Sequence, residues 1–409
     1  MKLLWLKSEL LHPVDKGGKI RTYQMLRELK RLHEVTYLAP VSPDDEPEAV
    51  ELAREYCHRL VAVQSGPTKK NGASLYGDLF RNLFSPLPYA IEKYRSAEIR
   101  RQIEIEMQDA SYDVVVCDFL VPSINLPQQL GRPKVLFQHN VESLIWRRHF
   151  ETQENNVKKA YFRQQWEKML EYEGRVSRQF DAVVAVSAVD RDFLRYQYGA
   201  REVYDVPTGV DAKYFRPLGG RDRNSREIVF TGSMDWLPNE DAIVNFIEEI
   251  LPRVAEAIPG VKLKVVGRNP SARLRSLAER CGRVEVTGRV EDVRPYIDRA
   301  AVYVVPLRIG GGTRLKIFEA MAMGKPIVST TIGSEGLPVR NGEHLLIADG
   351  AEEFASAIVR LFSDQHLAQA LARAARSLVW EQFGWDKAAA AFARVCARVA
   401  NKEARTQVA

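Results

Sequence analysis

Short apolar runs alternate with amphipathic stretches along most of the chain. Near the start, the apolar runs at residues 3–6 and 35–38 predict strands, and apolar side chains at helical spacing between them predict a helix. A strand, a helix and a second strand in this order predict a βαβ unit of a parallel sheet. Further strands of this first series are predicted at residues 113–117, 134–137, 181–186 and 203–207.

A second series of the same kind begins at residue 227. Its predicted strands lie at residues 228–230, 263–266, 284–286, 302–306 and 327–329. The two series predict an α/β chain with two tandem, Rossmann-like, doubly wound domains facing a cleft, which is the default binding site in such proteins. We predict a first domain over residues 1–205, a second over 206–385, a C-terminal helix over 386–400 and a frayed tail over 401–409.

Residues 301–324 (AVYVVPLRIGGGTRLKIFEAMAMG) contain the clearest candidate site. A buried strand leads into Gly310, Gly311 and Gly312, and Thr313 can cap the helix that follows. This order directs free backbone N–H groups and the positive end of a helix toward one point, an arrangement that suits a diphosphate. Three glycines before a helix are also common in simple tight turns, so the neighbouring charges matter.

Three charged side chains accompany these glycines. Arg314 and Lys316 add positive charge where a diphosphate would bind, and Glu319 can accept hydrogen bonds from two sugar hydroxyls.

The first domain has its own candidates at predicted strand ends. Gly17 and Gly18 predict a turn that a ligand can approach closely, although a simple turn explains them too. His139 and Glu142 follow the strand at 134–137, and Asp118 follows the strand at 113–117. Ligands of parallel sheets bind beyond the carboxyl ends of strands, so His139 is a candidate for chemistry as well as for a structural role.

Composition narrows the class of protein. The hydrophobic content of 45% and charged content of 27% are ordinary for a soluble globular protein, and the net charge of +6 does not by itself indicate a nucleic-acid partner. The four cysteines are far apart, which argues against zinc and disulfides and for a reducing, cytoplasmic compartment. We find no signal peptide and no run long enough to span a membrane.

One region mixes basic and apolar side chains. Between residues 69 and 101, lysines and arginines flank Leu79, Phe80, Leu83 and Phe84. This pattern is compatible with contact to an anionic membrane, at the inner face of the plasma membrane, or to an acceptor. A solvated face is the more common explanation of such a pattern.

Nearly the whole chain resembles the retaining glycosyltransferases of family 4, group 1, which have the GT-B fold. The resemblance rests on PTGVD at 207–211, VEVTGRVEDVRPYIDRAAVYVVPL at 284–307 and GGGTRLKIFEAMAMGKPIVSTTIGSEGL at 310–337. More narrowly, HPVDKGGKIRTYQML and QHNVES resemble sugar transferases encoded with bacterial exopolysaccharide and exosortase-type gene clusters.

The resemblance implies roles for individual residues. The first domain binds the acceptor, Gly17 and Gly18 lie near the donor phosphates, and His139 lies beside the donor sugar. The second domain holds the nucleoside diphosphate, with Glu319 on the ribose, and the last helix crosses back to the first domain. The donor-binding residues implied in the second domain are Gly232, Ser233, Gly288, Arg289, Val290, Gly310, Gly311, Gly312, Thr313, Leu315 and Glu319.

Two positions depart from the family pattern. The first glutamate of the family's pair is replaced by Gly311, so backbone N–H groups are expected to take over its role. The usual arginine and lysine after the first strand of the second domain are absent from the sequence at 232–236, and we expect Arg314 and Lys316 to replace them.

We therefore predict a retaining, metal-independent hexosyltransferase with His139, Arg314 and Lys316 as catalytic residues. It needs no cofactor beyond a UDP- or GDP-linked sugar as co-substrate and acts on a glycan or lipid-linked glycan acceptor in polysaccharide synthesis. A nucleotide-sugar epimerase of the same fold and a non-catalytic nucleotide-sugar-binding protein remain alternatives. A dinucleotide-dependent oxidoreductase is the third, but no G-x-G-x-x-G follows the first strand.

Overall fold

The computed structural model describes residues 1–42, 47–65, 72–109, 111–127, 130–220, 225–309 and 315–408, with the backbone alone for residues 73, 109 and 402–408. Packing contacts divide the chain into two compact units. One unit comprises Met1–Thr208 together with Trp385–Ala409, and the other comprises Gly209–Gly384. We predicted the corresponding divisions after residues 205 and 385.

The first unit is built on a parallel sheet of seven strands in the order β3-β2-β1-β4-β5-β6-β7. The strands are β1 Lys2–Leu6, β2 Glu34–Val41, β3 Arg59–Gln64, β4 Val114–Asp118, β5 Lys134–Phe137, β6 Ala182–Ala185 and β7 Val203–Asp205. The helices are α1 Gly17–Lys30, α2 Glu48–Leu52, α3 Ala73–Asn82, α4 Tyr89–Glu92, α5 Ala97–Asp109, α6 Glu142–Thr152, α7 Asn156–Gln179 and α8 Ala188–Tyr196.

The second unit has a parallel sheet of six strands in the order β10-β9-β8-β11-β12-β13. The strands are β8 Glu227–Thr231, β9 Lys262–Val266, β10 Val284–Gly288, β11 Val302–Val305, β12 Ile327–Ser329 and β13 Leu346–Ile347. The helices are α9 Leu237–Asn245, α10 Leu251–Ala257, α11 Ala272–Cys281, α12 Arg294–Arg299, α13 Leu315–Ala322, α14 Ala351–Ser363 and α15 Gln365–Gln382.

Both sheets reverse their strand order next to their first strand. The reversal lies between β1 and β4 in one unit and between β8 and β11 in the other. The central strands are buried along their whole length, as parallel strands covered by helices on both faces must be. In sheets of this type ligands bind beyond the carboxyl ends of the strands at the reversal, so two places are singled out by topology alone.

The last helix, α16 (Trp385–Val408), belongs to the first unit. It continues through residues 401–408, where we had predicted a frayed tail. Its Phe392 is fully buried, with its ring centroid 5.3 Å from that of Trp5 and 5.0 Å from that of Phe137. The helix therefore completes the core of the first unit. Within the described residues, no helix has the length and apolar content needed to cross a membrane.

Candidate functional site

In the second unit, the turn after β8 lies at the reversal of strand order. Gly232 and Ser233 form this turn, and the Gly232 N–H donates to the carbonyl of Val266 at 2.9 Å. A Cβ on Gly267 would lie 1.8 Å from the Gly232 carbonyl oxygen. Glycine is needed there because two backbone segments cross at a distance that no side chain allows.

Lys316 of α13 reaches this turn. A Cβ on Gly232 would lie 2.7 Å from both the Lys316 Nζ and the Asn239 Nδ2, so the glycine leaves the space that the ammonium fills. The Lys316 Nζ donates to the Asn239 Oδ1 at 2.9 Å and lies 4.1 Å from the centroid of the Phe230 ring. The structure thus places a lysine ammonium beside a turn whose own sequence has neither lysine nor arginine.

A second cation at the same turn was missed by sequence reasoning. Arg268 follows β9, the strand next to β8, and its Nε donates to the Ser233 Oγ at 2.8 Å. The same Nε lies 3.8 Å from a carboxylate oxygen of Asp235. The signal was available, because Arg268 stands just beyond the carboxyl end of a predicted strand, where ligand-binding residues collect.

Glu319 lies on α13, about one helical turn after Lys316 and on the same face of the helix. Its side chain is partly buried, and burial raises its pKa to about 7, although Lys316 acts in the opposite direction. Its carboxylate makes no hydrogen bond to any residue that the structure describes. A partly buried acceptor with unused capacity is suited to binding the hydroxyls of a ligand.

The remaining predicted residues of this unit are less informative. Gly288 ends β10 with a φ of 73°, which favours glycine, while Arg289 is exposed and Val290 packs against the core. Leu315 begins α13. The predicted residues Gly310, Gly311, Gly312, Thr313 and Arg314 lie outside the described residues.

In the first unit, the predicted turn at Gly17 and Gly18 is instead the first turn of α1. Lys16 just before it is extended, and the helix begins at Gly17. A Cβ on Gly18 would lie 2.9 Å from the Cζ of Phe119, so the glycine allows an aromatic ring to pack against the helix. The prediction of a turn was wrong. It followed from the low helix propensity of glycine, whereas a glycine is required in this helix because Phe119 packs closely against position 18.

His139 lies beyond β5 and is buried, with 1% of its surface exposed. Its Nε2 is 2.8 Å from the Asp118 Oδ1, and its ring stacks on that of Phe119 at a centroid distance of 3.9 Å. Burial is the largest cause that lowers the pKa of His139, to about 3, against the opposing effect of Asp118. The imidazole is therefore neutral at physiological pH.

Asp118 connects three elements through four partners. Its Oδ2 accepts from the Trp5 Nε1 at 2.8 Å and from the Thr22 Oγ1 at 2.6 Å, and its Oδ1 lies 3.0 Å from the Lys7 Nζ. Burial opposes ionisation of Asp118, but the charge of Lys7 and the contact with His139 hold its pKa well below the usual range. Sequence reasoning missed Lys7 and Thr22, although Lys7 directly follows β1 and so stands at a strand end.

Buried Glu173 explains much of the segment around His139. Its carboxylate accepts from the Gln138 Nε2 at 3.1 Å and from the backbone N–H groups of Glu142 and Ser143 at 2.8 and 3.0 Å. It therefore caps the first turn of α6. Burial, followed by the neighbouring Glu173, raises the pKa of Glu142 to about 7. Gln138 and Ser143 of the QHNVES segment thus have a structural function.

Two family profiles match the chain. Residues 16–214 match Glycosyltransferase Family 4, and residues 225–364 match Glycosyl transferases group 1. The two matches follow one another along the chain and fall largely in the first and second unit respectively.

Two curated proteins are similar in sequence to this chain. An uncharacterized 44.6 kDa protein in the cps region of Klebsiella pneumoniae is 21% identical over 371 residues, which are 88% of this chain and 90% of that protein. Phosphatidyl-myo-inositol mannosyltransferase of Mycobacterium tuberculosis is 28% identical over 238 residues, which are 55% of this chain and 62% of the relative. The match thus spans less than two thirds of that mannosyltransferase.

Among solved structures, Anabaena Alr3699/HepE in complex with UDP has a TM-score of 0.69 and 16% identity, covering 97% of this chain and 100% of that one. At this identity the likeness concerns the fold, which is the GT-B arrangement of two Rossmann-like, parallel-sheet domains. With consecutive profile matches, related transferases and this fold, the chain belongs to the family 4, group 1 glycosyltransferases.

Proposed function

We propose that this glycosyltransferase moves a sugar from a UDP- or GDP-linked donor to a glycan or lipid-linked glycan acceptor, with retention of anomeric configuration. The observation that carries the donor part is the pair of cations at the turn after β8, where Lys316 lies beside Gly232 and Arg268 donates to Ser233. The leaving nucleoside diphosphate gains negative charge as the bond between the anomeric carbon and the phosphate oxygen breaks and a bond to the acceptor hydroxyl forms. Fixed cations and N–H groups stabilise that charge.

The second unit would hold the donor. Lys316 and Arg268 face the diphosphate, and Glu319 accepts hydrogen bonds from the ribose. Arg314, Thr313 and the glycines at 310, 311 and 312 extend the anion site, and Gly288, Arg289 and Val290 contact the base. These cations supply the positive charge that a metal ion would otherwise bring, so we propose transfer without a metal.

The first unit would bind the acceptor, and His139 would act on the sugar being transferred. The name of the mycobacterial relative supports a lipid-linked acceptor, the complex of the Anabaena protein supports a UDP-linked donor, and the cps-region relative supports a role in polysaccharide synthesis. We place the reaction at the cytoplasmic face of the plasma membrane.

Contact with the membrane is proposed for α3 and the residues just after it. Tyr76, Phe80, Leu83 and Phe84 follow helical spacing and expose 73, 64, 36 and 79% of their surface. The exposed Arg81 lies among them. We call these four apolar residues the α3 stripe. Aromatic side chains with nearby cations suit the interface of an anionic bilayer.

Nucleoside diphosphates test the proposal directly. A ligand that binds the folded state raises the melting temperature by mass action, so UDP or GDP at millimolar concentration should raise it by several degrees. Nucleotide sugars incubated with a lipid-linked acceptor should then yield a glycosylated product. A new nucleotide sugar formed without acceptor would indicate an epimerase, and binding without any product would indicate a non-catalytic protein. No stabilisation by any nucleoside diphosphate would refute the donor site.

A further inference from the structure

Tyr214 is an exposed aromatic residue of the second unit, on the segment that precedes β8. Its backbone N–H donates to the Asp211 Oδ1 at 2.9 Å, and the N–H of Lys213 donates to the same oxygen at 3.1 Å. Asp211 thus folds this segment into a turn. The next residue, Phe215, packs on the core, with its ring centroid 5.0 Å from that of Tyr214. The turn and the anchored Phe215 therefore determine where the Tyr214 ring lies.

An ion pair covers one face of the Tyr214 ring. The guanidinium carbon of Arg294 lies 3.7 Å from the ring centroid, within the range of a cation–π contact. The Arg294 Nε donates to the Asp292 Oδ1 at 3.0 Å, and its Nη2 donates to the Oδ2 at 2.7 Å. The Arg294 Nη1 also donates to the Tyr214 carbonyl at 3.2 Å. Because the guanidinium is held by this bidentate pair and by the backbone, it holds the plane of the ring in turn.

Part of the Tyr214 ring is open to solvent. The residue exposes 43% of its surface. Within the described part of the chain, its ring meets one cation, Arg294, and one other aromatic ring, that of Phe215 at an interplanar angle of 85°. An exposed aromatic ring that its neighbours already hold in place loses little freedom when it stacks on a flat ligand.

Tyr214 lies beside both parts of the donor site that would hold the nucleoside. Asp292 and Arg294, which fix its ring, stand just after the turn at 288–290 that we propose for the base. Burial is the largest cause that raises the pKa of Tyr214, and the charges of Asp292 and Glu319 raise it further, while Arg294 opposes them. The charge of Glu319, the residue proposed for the ribose, therefore reaches the Tyr214 hydroxyl.

We propose that Tyr214 is a stacking platform for the base of the nucleoside diphosphate, with the ion pair of Asp292 and Arg294 holding the ring in place. This inference rests on the proposed function, because it adds a residue to the donor site of the second unit. Stacking depends on the flat face of the base and not on its hydrogen-bonding groups, so the platform accepts uracil and guanine alike. It contributes to affinity, and the choice between UDP and GDP falls to other contacts.

Three variants of Tyr214 test the platform by calorimetry with UDP and GDP. Tyr214→Ala should weaken binding of the nucleotide that the wild-type protein prefers by about 5- to 150-fold. Tyr214→Phe keeps the flat ring and should bind like the wild type. Tyr214→Leu keeps apolar bulk without a flat ring and should bind as weakly as Tyr214→Ala. Equal affinity in all four proteins would overturn the proposal, and so would a loss in Tyr214→Phe as large as in Tyr214→Ala, which would assign the effect to the hydroxyl.

Inorganic pyrophosphate separates stacking from a disturbance of the anion site. It has no base, so Tyr214→Ala should bind it as the wild type does, and a parallel loss of pyrophosphate and nucleotide affinity would overturn the proposal. Tyr196→Ala is the matched control, because Tyr196 is a tyrosine at the end of α8, in the first unit, that exposes 74% of its surface. Its removal should leave nucleotide binding unchanged, and a loss like that of Tyr214→Ala would count against a specific platform.

The wild-type protein separates this inference from the proposed function. If it binds neither UDP nor GDP, the proposed donor site fails and the platform fails with it. If it binds one of them and Tyr214→Ala binds that nucleotide equally well, the donor site stands and only the platform is refuted.

Discussion

Lys316 and Arg268 show how residues far apart in the chain can supply cations to one turn. The turn at Gly232 and Ser233 lacks the cations expected there, yet one side chain from α13 and one from the end of β9 reach it. Sequence reasoning found Lys316 because it lies beside a glycine-rich bend. It missed Arg268 because no local motif surrounds it, and only the adjacency of β8 and β9 brings it to the turn.

Replacing either cation tests the donor site at the scale of single residues. Lys316→Met and Arg268→Met should each weaken UDP or GDP binding by about 10- to 150-fold, because a charge-assisted hydrogen bond to phosphate contributes about 1.5–3 kcal/mol. Isothermal calorimetry measures the change. Lys262→Met, an exposed lysine at the opposite end of β9, should bind normally. Unchanged affinity in both test variants would show that the diphosphate does not bind at this turn.

Glu319 gives a prediction on stability and pH. Its pKa is raised to about 7 in the folded protein, whereas an unfolded glutamate titrates near 4.3. Between about pH 4 and pH 7 the folded state keeps a proton on Glu319 that the unfolded state has lost. The stability that this protonated group contributes is therefore complete below about pH 4 and is lost as the pH rises through 7. Glu319→Gln should raise the free energy of unfolding at pH 8 by about 1–2 kcal/mol, with no gain at pH 4, while weakening nucleotide binding.

Urea denaturation at both pH values measures this difference. Glu104→Gln, which changes an exposed glutamate in the middle of α5, provides the comparison and should alter stability little at either pH. A Glu319→Gln variant that is less stable at pH 8 would mean that the carboxylate has a structural partner.

At the scale of elements, the strands of both units were largely evident from apolar runs, because parallel strands covered on both faces are continuously hydrophobic. The two-residue edge strand β13 was missed. The strand β3 was missed too. Its burial alternates along RLVAVQ, and it forms one edge of its sheet, so its sequence is more polar than that of the central strands. The start of α1 was predicted as a turn because the reason for Gly18 lies on another element, at Phe119.

The α3 stripe yields a prediction on membrane binding. Phe80→Ser/Phe84→Ser should reduce co-sedimentation with vesicles that contain phosphatidylglycerol, because two exposed aromatic rings no longer enter the interface. Sedimentation at low and high salt separates the apolar from the electrostatic part of binding. Leu32→Ser removes an equally exposed apolar residue just after α1 and should have no effect. Equal binding by all three proteins would exclude the stripe as the contact.

At the scale of the whole molecule, α16 stabilises a unit that is distant from it in sequence. Its Phe392 packs on Trp5 and Phe137, at the centre of the first sheet. Phe392→Ala should therefore destabilise the first unit by about 3–5 kcal/mol, the range for a buried phenylalanine.

Differential scanning calorimetry with and without UDP measures the unfolding transition of each unit. We expect Phe392→Ala to lower the transition of the first unit, while UDP still stabilises the second. Trp380→Ala, a large but exposed residue of α15, should change neither transition appreciably. Loss of UDP stabilisation in Phe392→Ala would instead show that α16 is needed by the second unit.

The sequence by itself determined the α/β class, the two series of parallel strands and the helix that begins at Leu315, because each depends on the spacing of residues close together in the chain. The family resemblance also anticipated that Lys316 replaces the cations missing after β8 and that the last helix returns to the first unit, where the structure has it. The tertiary structure alone decided the meeting of Lys7, Thr22, Asp118 and His139, the approach of Arg268 to Ser233, and the packing of Phe392 on Trp5 and Phe137. These contacts depend on strand order, which brings the ends of distant segments together, and a local pattern of residues carries no information about that order.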